Sequence, residues 1–241
     1  MIKICEYCNK EFIVKNGHVN QRFCCKSCGL MNRYIDDPGI FCRDDLLDEI
    51  KDYILGLVVT DGCIRKNGQN KTICISLKDE GLIQMIHDIA CPNKKIYNDG
   101  NNKQVVWKTQ KDIEYLESLN IAERKTYYIR MPSVKNPWHF IRGVFDGDGC
   151  VYIDHIHDKK YDRDYEYINI SITSGSIGFI NDLAVFLELE GIHGTIAQDK
   201  RHNEVYKINI RKRSSVKTMY EKMYKNAGIW KLERKYITFK I

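Results

Sequence analysis

The chain has 241 residues, 43% of them hydrophobic, ten cysteines and a formal net charge of +6. That is enough for one large domain, or one domain and a small module, and the charge is a mild bias toward polyanions. No apolar run approaches the roughly 18 residues of a membrane span, and Met1-Ile2-Lys3-Ile4-Cys5 does not look like a secretory signal. An intracellular protein without a membrane partner is therefore expected, its cysteines serving as metal ligands or free thiols rather than disulfides.

In chain order, residues 1–35 hold five of the ten cysteines and little apolar periodicity. Cys5-x2-Cys8 followed by Cys24-Cys25-Lys26-Ser27-Cys28 is a two-plus-two spacing suited to tetrahedral Zn²⁺ held by thiolates. So short a piece cannot bury much core, and a metal would carry its folding. Asp36-Asp37-Pro38-Gly39 is a turn signal, and residues 36–45 read as a linker. The first repeat, 46–130, opens on the 3.6-period face Leu46, Leu47, Ile50, Ile54 and Leu57. A hairpin around Asn67-Gly68 follows, with a returning strand in which Ile73, Ile75 and Leu77 share one face. A helix around Leu82–Ile89, a strand pair ending at Trp107-Lys108, and a last helix complete it, closed by Glu123-Arg124-Lys125-Thr126-Tyr127. The second repeat, 131–241, has the same order: a helix, a strand over Ile168–Thr173, a helix over Phe179–Phe186, a strand pair ending at Val205–Arg211, and a closing Glu233-Arg234-Lys235-Tyr236. Its extra segment, Asp154–Glu166, reads as a charged, solvated loop or, in a DNA-binding sheet, as a reach to the phosphate backbone. The fold class is α+β, two pseudo-symmetric α-β-β-α-β-β-α repeats.

Each first helix ends in the same way. Ile54-Leu55-Gly56-Leu57-Val58-Val59-Thr60-Asp61-Gly62 and Ile141-Arg142-Gly143-Val144-Phe145-Asp146-Gly147-Asp148-Gly149 share an apolar run, a central Gly and a terminal Asp-Gly. Gly56 and Gly143 would let the two helices approach closely, and two carboxylates at paired helix C-termini concentrate negative charge unless a cation binds. Oxygen ligands of this kind suit Mg²⁺ or Mn²⁺.

On these two motifs and the shared element order, residues 44–241 resemble the single-chain, two-repeat LAGLIDADG homing endonucleases. The resemblance implies a saddle-shaped antiparallel sheet over double-stranded DNA, a pseudo-twofold axis between the motif helices, and Asp61 and Asp148 as catalytic acids and Mg²⁺ ligands. Val59 departs from the family pattern, where an earlier Asp stands, at a position that is not a metal ligand. The family places a basic residue near the active-site water; strand alternation offers Lys108 and Arg211, with Lys212 as the alternative to Arg211. Base reading falls to the polar strand faces: Thr72, Cys74 and Ser76, then Asn169, Ser171 and Thr173, with Lys207 and Asn209. Arg65, Lys66 and Lys103 are candidates for phosphate contact.

The N-terminal segment resembles small zinc fingers that end in Phe-Cys-Ser-x-x-Cys and accompany phage and mobile-element nucleases. That favours Cys5, Cys8, Cys24 and Cys28 as ligands; a plain Cys-x2-Cys reading favours Cys25 over Cys24. Lys3, Lys10, Lys15, Arg22 and Lys26 would support an extra DNA contact, with a protein–protein role for the module as the alternative.

The expected function is a monomeric, Mg²⁺-dependent endonuclease that cuts a long non-palindromic DNA site and promotes mobility of an intron or intergenic element. The alternatives are a maturase holding intron RNA, and a non-cleaving DNA-binding regulator. Retention of both acids favours cleavage over the regulator. An intein is not expected, since Thr238-Phe239-Lys240-Ile241 lacks the His-Asn ending that protein splicing requires.

Overall fold

The computed structural model describes residues 1–14, 18–32, 37–122, 125–199 and 204–239. Lys15 and the Glu123-Arg124 pair of the first closing segment lie outside them. The chain divides into two units, Met1–Asp37 and Pro38–Ile241.

The small unit is an antiparallel hairpin, β1 (Ile2–Ile4) with β2 (Glu11–Ile13), and a short helix α1 (Lys26–Asn32). Cys5 and Val14 are its only buried apolar residues among those described. A core of two side chains is far too small to hold a fold.

The large unit repeats one pattern twice. The first half runs α2 (Asp48–Asp61), β3 (Gly62–Asn67), β4 (Asn70–Leu77), α3 (Glu80–Ala90), β5 (Tyr97–Asp99), β6 (Asn102–Trp107) and α4 (Gln110–Ser118), then a single 3-10 turn at Lys125–Tyr127. The second runs α5 (Pro137–Asp148), β7 (Gly149–Asp158), β8 (Arg163–Ser174), α6 (Ile177–Leu189), β9 (Thr195–Gln198), β10 (Tyr206–Ile210), α7 (Arg213–Tyr224) and α8 (Glu233–Thr238). Both sheets are antiparallel and have the same order, β3-β4-β6-β5 and β7-β8-β10-β9. The helical starts after the first hairpins match too: Asp79 accepts from Leu82 N–H at 2.8 Å and Ser176 Oγ from Phe179 N–H at 3.3 Å. Each caps an otherwise orphaned backbone donor.

Alternation sets the faces. Ile73, Ile75, Leu77, Val105 and Trp107 point into the core of the first half, and Ile170, Ile172, Ile208 and Ile210 into that of the second. Helix α2 is buried from Asp52 to Val59 and α5 from Phe140 to Asp146. A helix apolar on all sides belongs at the centre of a protein, and these two pack on each other there.

Two segments differ from their sequence reading. The stretch 40–45 is not a free linker. Ile40 and Phe41 are buried, and Asp112 accepts the backbone N–H groups of Ile40 and Phe41 at 2.7 and 2.9 Å, and Trp107 Nε1 at 3.0 Å. Hydropathy alone does not reveal that a carboxylate about 70 residues away satisfies this backbone. The charged insertion is not a loop either. Ten consecutive pairs, from Gly149↔Ile172 to Asp158↔Arg163, make it a two-stranded ribbon, against six pairs in β3–β4.

Candidate active site and nucleic-acid interface

The motif helices touch through their backbones. A Cβ on Gly56 would stand 2.3 Å from the Phe140 carbonyl oxygen, and one on Gly143 2.1 Å from that of Tyr53. Only glycine fits at either place. The close crossing carries down to the helix ends, where a Cβ on Gly147 would lie 2.6 Å from Asp61 Oδ2. Asp61 therefore abuts the residue that precedes Asp148, and the two sequence-expected acids share one crease.

Both carboxylates reach solvent at the mouth of that crease while protein crowds them from behind. Loss of hydration raises the Asp61 pKa, opposed by Thr60 Oγ1 at 3.3 Å and by Lys235 and Lys125. Asp148 is pushed up to about 6, first by burial and then by the charge on Asp61. Two oxygen-donor groups that repel each other while facing water make a donor set for a hard divalent cation.

The cationic groups beside the acids are not Lys108 and Arg211. Strand β3 leaves the helix end, β4 returns, and β6 runs away again, so the end of β6 is the distant one. Trp107 pairs with Ile73, and Ile73 with Ile64. Lys108, one residue further, is about 10 Å along and about 10 Å across from Gly62, and its Nζ reaches Asn70 Oδ1 at 3.4 Å. Arg211 repeats this in the second half, one residue beyond the Ile210↔Ile170 and Ile170↔Val151 pairs, and Lys212 follows it outward.

Two buried lysines take the place instead. Lys125 Nζ donates to Gly62 O at 2.5 Å. Lys235 Nζ donates to the carbonyls of Phe145, Asp146, Gly147 and Gly149 at 2.6, 2.8, 3.3 and 2.6 Å. Burial lowers both, Lys235 to about 8, while neighbouring charges including Asp61 hold them up. The sequence carries the signal in the repeated Glu-Arg-Lys of each closing segment; strand parity, which governs only strands, directs attention elsewhere. Behind the site, buried Asp146 accepts Tyr53 Oη at 2.8 Å and Leu232 N–H at 2.9 Å. The matched position, Val59, has no such group.

The outer sheet faces hold most of the reading candidates. Arg65, Thr72 and Ser76 lie on the first, and Lys66 lies exposed near the β3–β4 turn. Arg65 Nη1 donates to Gln104 Oε1 at 2.9 Å, and Ser76 Oγ to Asp99 Oδ2 at 2.8 Å. Ser171, Thr173, Lys207 and Asn209 line the second, paired as Lys207↔Thr173 and Asn209↔Ser171. Cys74 is 2% exposed with its Sγ against that of Cys63 at 3.0 Å, and Asn169 is 3% exposed and donates to Asp154 Oδ2 at 2.8 Å. These two are covered rather than presented. Lys103 has the parity of Val105 and Trp107, and its Nζ goes to Asn98 Oδ1 at 2.9 Å and Glu80 at 3.5 Å. Asn102, Gln104 and Val106 are the β6 residues with the outer parity, the last two opposite Ser76 and Cys74.

In the small unit the sulfur atoms of Cys5, Cys8, Cys24 and Cys28 all lie within 4.8 Å of one another, with Cys8–Cys24 at 3.7 Å and Cys24–Cys28 at 3.5 Å. A tetrahedral zinc with Zn–S bonds of about 2.3 Å requires sulfurs about 3.8 Å apart, so the donor set fits. Cys25 is exposed and accepts the Cys28 N–H at 3.4 Å instead. Arg22 is paired with Glu6, and Lys3 Nζ donates to Val19 O at 2.6 Å, whereas Lys10 and Lys26 are exposed.

Comparison with known proteins agrees with this geometry. Residues 137–224 match the family model of the LAGLIDADG-like domain. Homing endonuclease I-DmoI of Desulfurococcus mucosus is 24% identical over 184 residues, 71% of this chain and 86% of that protein. Its structure with DNA and Mn shares the fold with a TM-score of 0.52 at 22% identity, covering 74% of this chain and 98% of that one. The I-LtrWI LAGLIDADG homing endonuclease bound to target DNA gives 0.55 at 14% identity, covering 80% and 89%. The second repeat thus carries the match to the LAGLIDADG-like domain, and the two repeats together share the fold of LAGLIDADG homing endonucleases of known structure.

Proposed function

We propose that the chain is a homing-type DNA endonuclease that makes a double-strand break in a long, non-palindromic target and so promotes mobility of the element encoding it. The observation that carries this reading is the convergence of Asp61 and Asp148, one from each repeat, at the ends of two helices in backbone contact. One chain supplies both acids, so a monomer is sufficient.

Asp61 and Asp148 are the residues that would hold Mg²⁺ or Mn²⁺. A bound divalent cation would polarise the scissile phosphate and acidify a water. The chain's own part is to fix the two carboxylates, to keep Lys125 and Lys235 beside them as balancing charge, and to seat one DNA strand at each acid. The outer faces of the two sheets, with Thr72, Ser76, Ser171, Thr173, Lys207 and Asn209, would present side chains to the major groove. The small unit would hold Zn²⁺ through Cys5, Cys8, Cys24 and Cys28 and add a DNA contact through Lys10 and Lys26.

Purified protein with Mg²⁺ or Mn²⁺ should cut duplex DNA that carries its site, while Asp61→Asn and Asp148→Asn bind it without a double-strand break. Gel analysis of cleavage and binding decides the matter. Wild-type protein that binds the site yet leaves both strands intact with either metal would overturn the reading.

A further inference from the structure

The ribbon β7–β8 has two chemically distinct faces. Strand pairing puts Tyr152 opposite Asn169, Ile156 opposite Tyr165, and Tyr167 opposite Asp154, all with the parity of Ser171 and Cys150 on the outer sheet face. Ile156, Tyr165 and Tyr167 are 51, 37 and 45% exposed. The opposite face carries the histidine–carboxylate contacts, His155 with Glu166 at 3.3 Å and His157 with Asp164 at 2.8 Å. The outer face thus sets these aromatic and apolar side chains beside Asp154, engaged by Asn169 Nδ2, and Asp158, engaged by the Lys160 N–H, while Glu166 and Asp164 face the other way.

The foot of the ribbon is basic. Strand β10 stops at Ile210, opposite Ile170, and leaves the edge of β8 uncovered over Tyr165–Ile168. A cleft of about 720 Å³ lies along that edge, lined by Tyr165 and Tyr167 and flanked by Arg211, Arg213 and Lys217. Its one lining carboxylate, Glu166, is engaged by His155. Three cations beside exposed rings fit a polyanion with apolar edges.

We propose that the ribbon and this cleft form a binding element for the flank of the duplex on the second-repeat side, taking recognition further from the cut there than on the other side. Arg211, Arg213 and Lys217 take phosphates; Tyr152, Ile156, Tyr165 and Tyr167 contact base edges, thymine methyl groups above all. The ribbon is four rungs longer than its counterpart, and a rung and a base pair each advance about 3.4 Å, so the extra reach is about four base pairs. This rests on the proposed function for the approach of the sheets to DNA.

The test is binding and footprinting by the full chain on its target, with each flank trimmed one base pair at a time. Trimming should weaken binding about four base pairs earlier on one flank than on the other. Tyr165→Ala with Tyr167→Ala should lower affinity about five- to tenfold and abolish the preference for A·T pairs in that outer segment. Arg211→Gln with Arg213→Gln should flatten the dependence of log affinity on log salt by about one for each phosphate no longer neutralised. Asp164→Asn, on the histidine–carboxylate face, should stay within about twofold of wild type; thermal melting confirms that every variant is folded. Equal footprints on both flanks of a site that is cut would overturn the proposal and leave the nuclease intact. Asymmetric binding without cleavage would do the reverse. Wild-type affinity and salt slope in the Tyr and Arg variants would also overturn it.

Discussion

At the scale of single residues, the motif glycines and acids are legible in the sequence because their chemistry is local to the motif. Gly143 is the sharpest case. A methyl group there meets backbone oxygen at 2.1 Å, which no rotamer change relieves. Gly143→Ala should destabilise the large unit by about 3 kcal/mol, the upper range of overpacking, measured by denaturant titration. It should also slow cutting of both strands together. Lys125 and Lys235 are harder to find, since their partners are carbonyls of helix ends that exist only after folding. Arg130 and Asp182 are invisible for the same reason. Arg130 donates through Nε and Nη2 at 2.6 and 2.5 Å, and the Met131 N–H adds a third bond. The guanidinium holds the Asp182 carboxyl below its ordinary value. A depressed acid stabilises the fold above its unfolded pKa of about 3.9 and loses that contribution as pH falls through the folded value. Arg130→Gln should therefore lower the melting midpoint at pH 7, modestly because Arg130 is exposed, by a difference from wild type that shrinks as pH falls below about 3.9.

At the scale of elements, alternation and helical period reveal the order of both repeats, because each sheet has one wet and one buried face. They fail where an element answers to something distant. The strap at 40–45 is held by Asp112, and the ribbon is built by cross-strand pairing among charged residues that read as solvated. Helix α8 shows how much a short element can carry. Six residues deliver Lys235 to four carbonyls around the C-terminus of α5, while Leu232, at its start, binds Asp146. Removing the ammonium takes a charged donor from these buried carbonyls, of which Phe145 O keeps the Gly149 N–H. Lys235→Met should cost about 2–4 kcal/mol of stability and reduce cleavage more than binding. Lys108→Met, at the far end of its strand, should do neither. Chevron analysis and single-turnover cleavage separate the two outcomes; equal effects from both lysines would contradict the placement.

At the scale of the whole molecule, two units depend on different forces. The large one has a continuous apolar core across both repeats, and the small one has four clustered thiols and almost no core. Strong chelation should release about one zinc per chain and unfold residues 1–37 to proteases while the main melting transition stays in place. Cys24→Ser should lose the metal and Cys25→Ser should keep it; stoichiometric zinc in both would assign the ligands wrongly. The glycine contact between α2 and α5 separates what the two halves share from what each owns. Strand residues far from that seam are private to one repeat, and in the proposed nuclease changing them would alter the fit to one side of the target alone. A side chain added at the seam reaches both acids at once. In the proposed nuclease, specificity could be revised one half-site at a time, while a change at the seam would disturb both acids together.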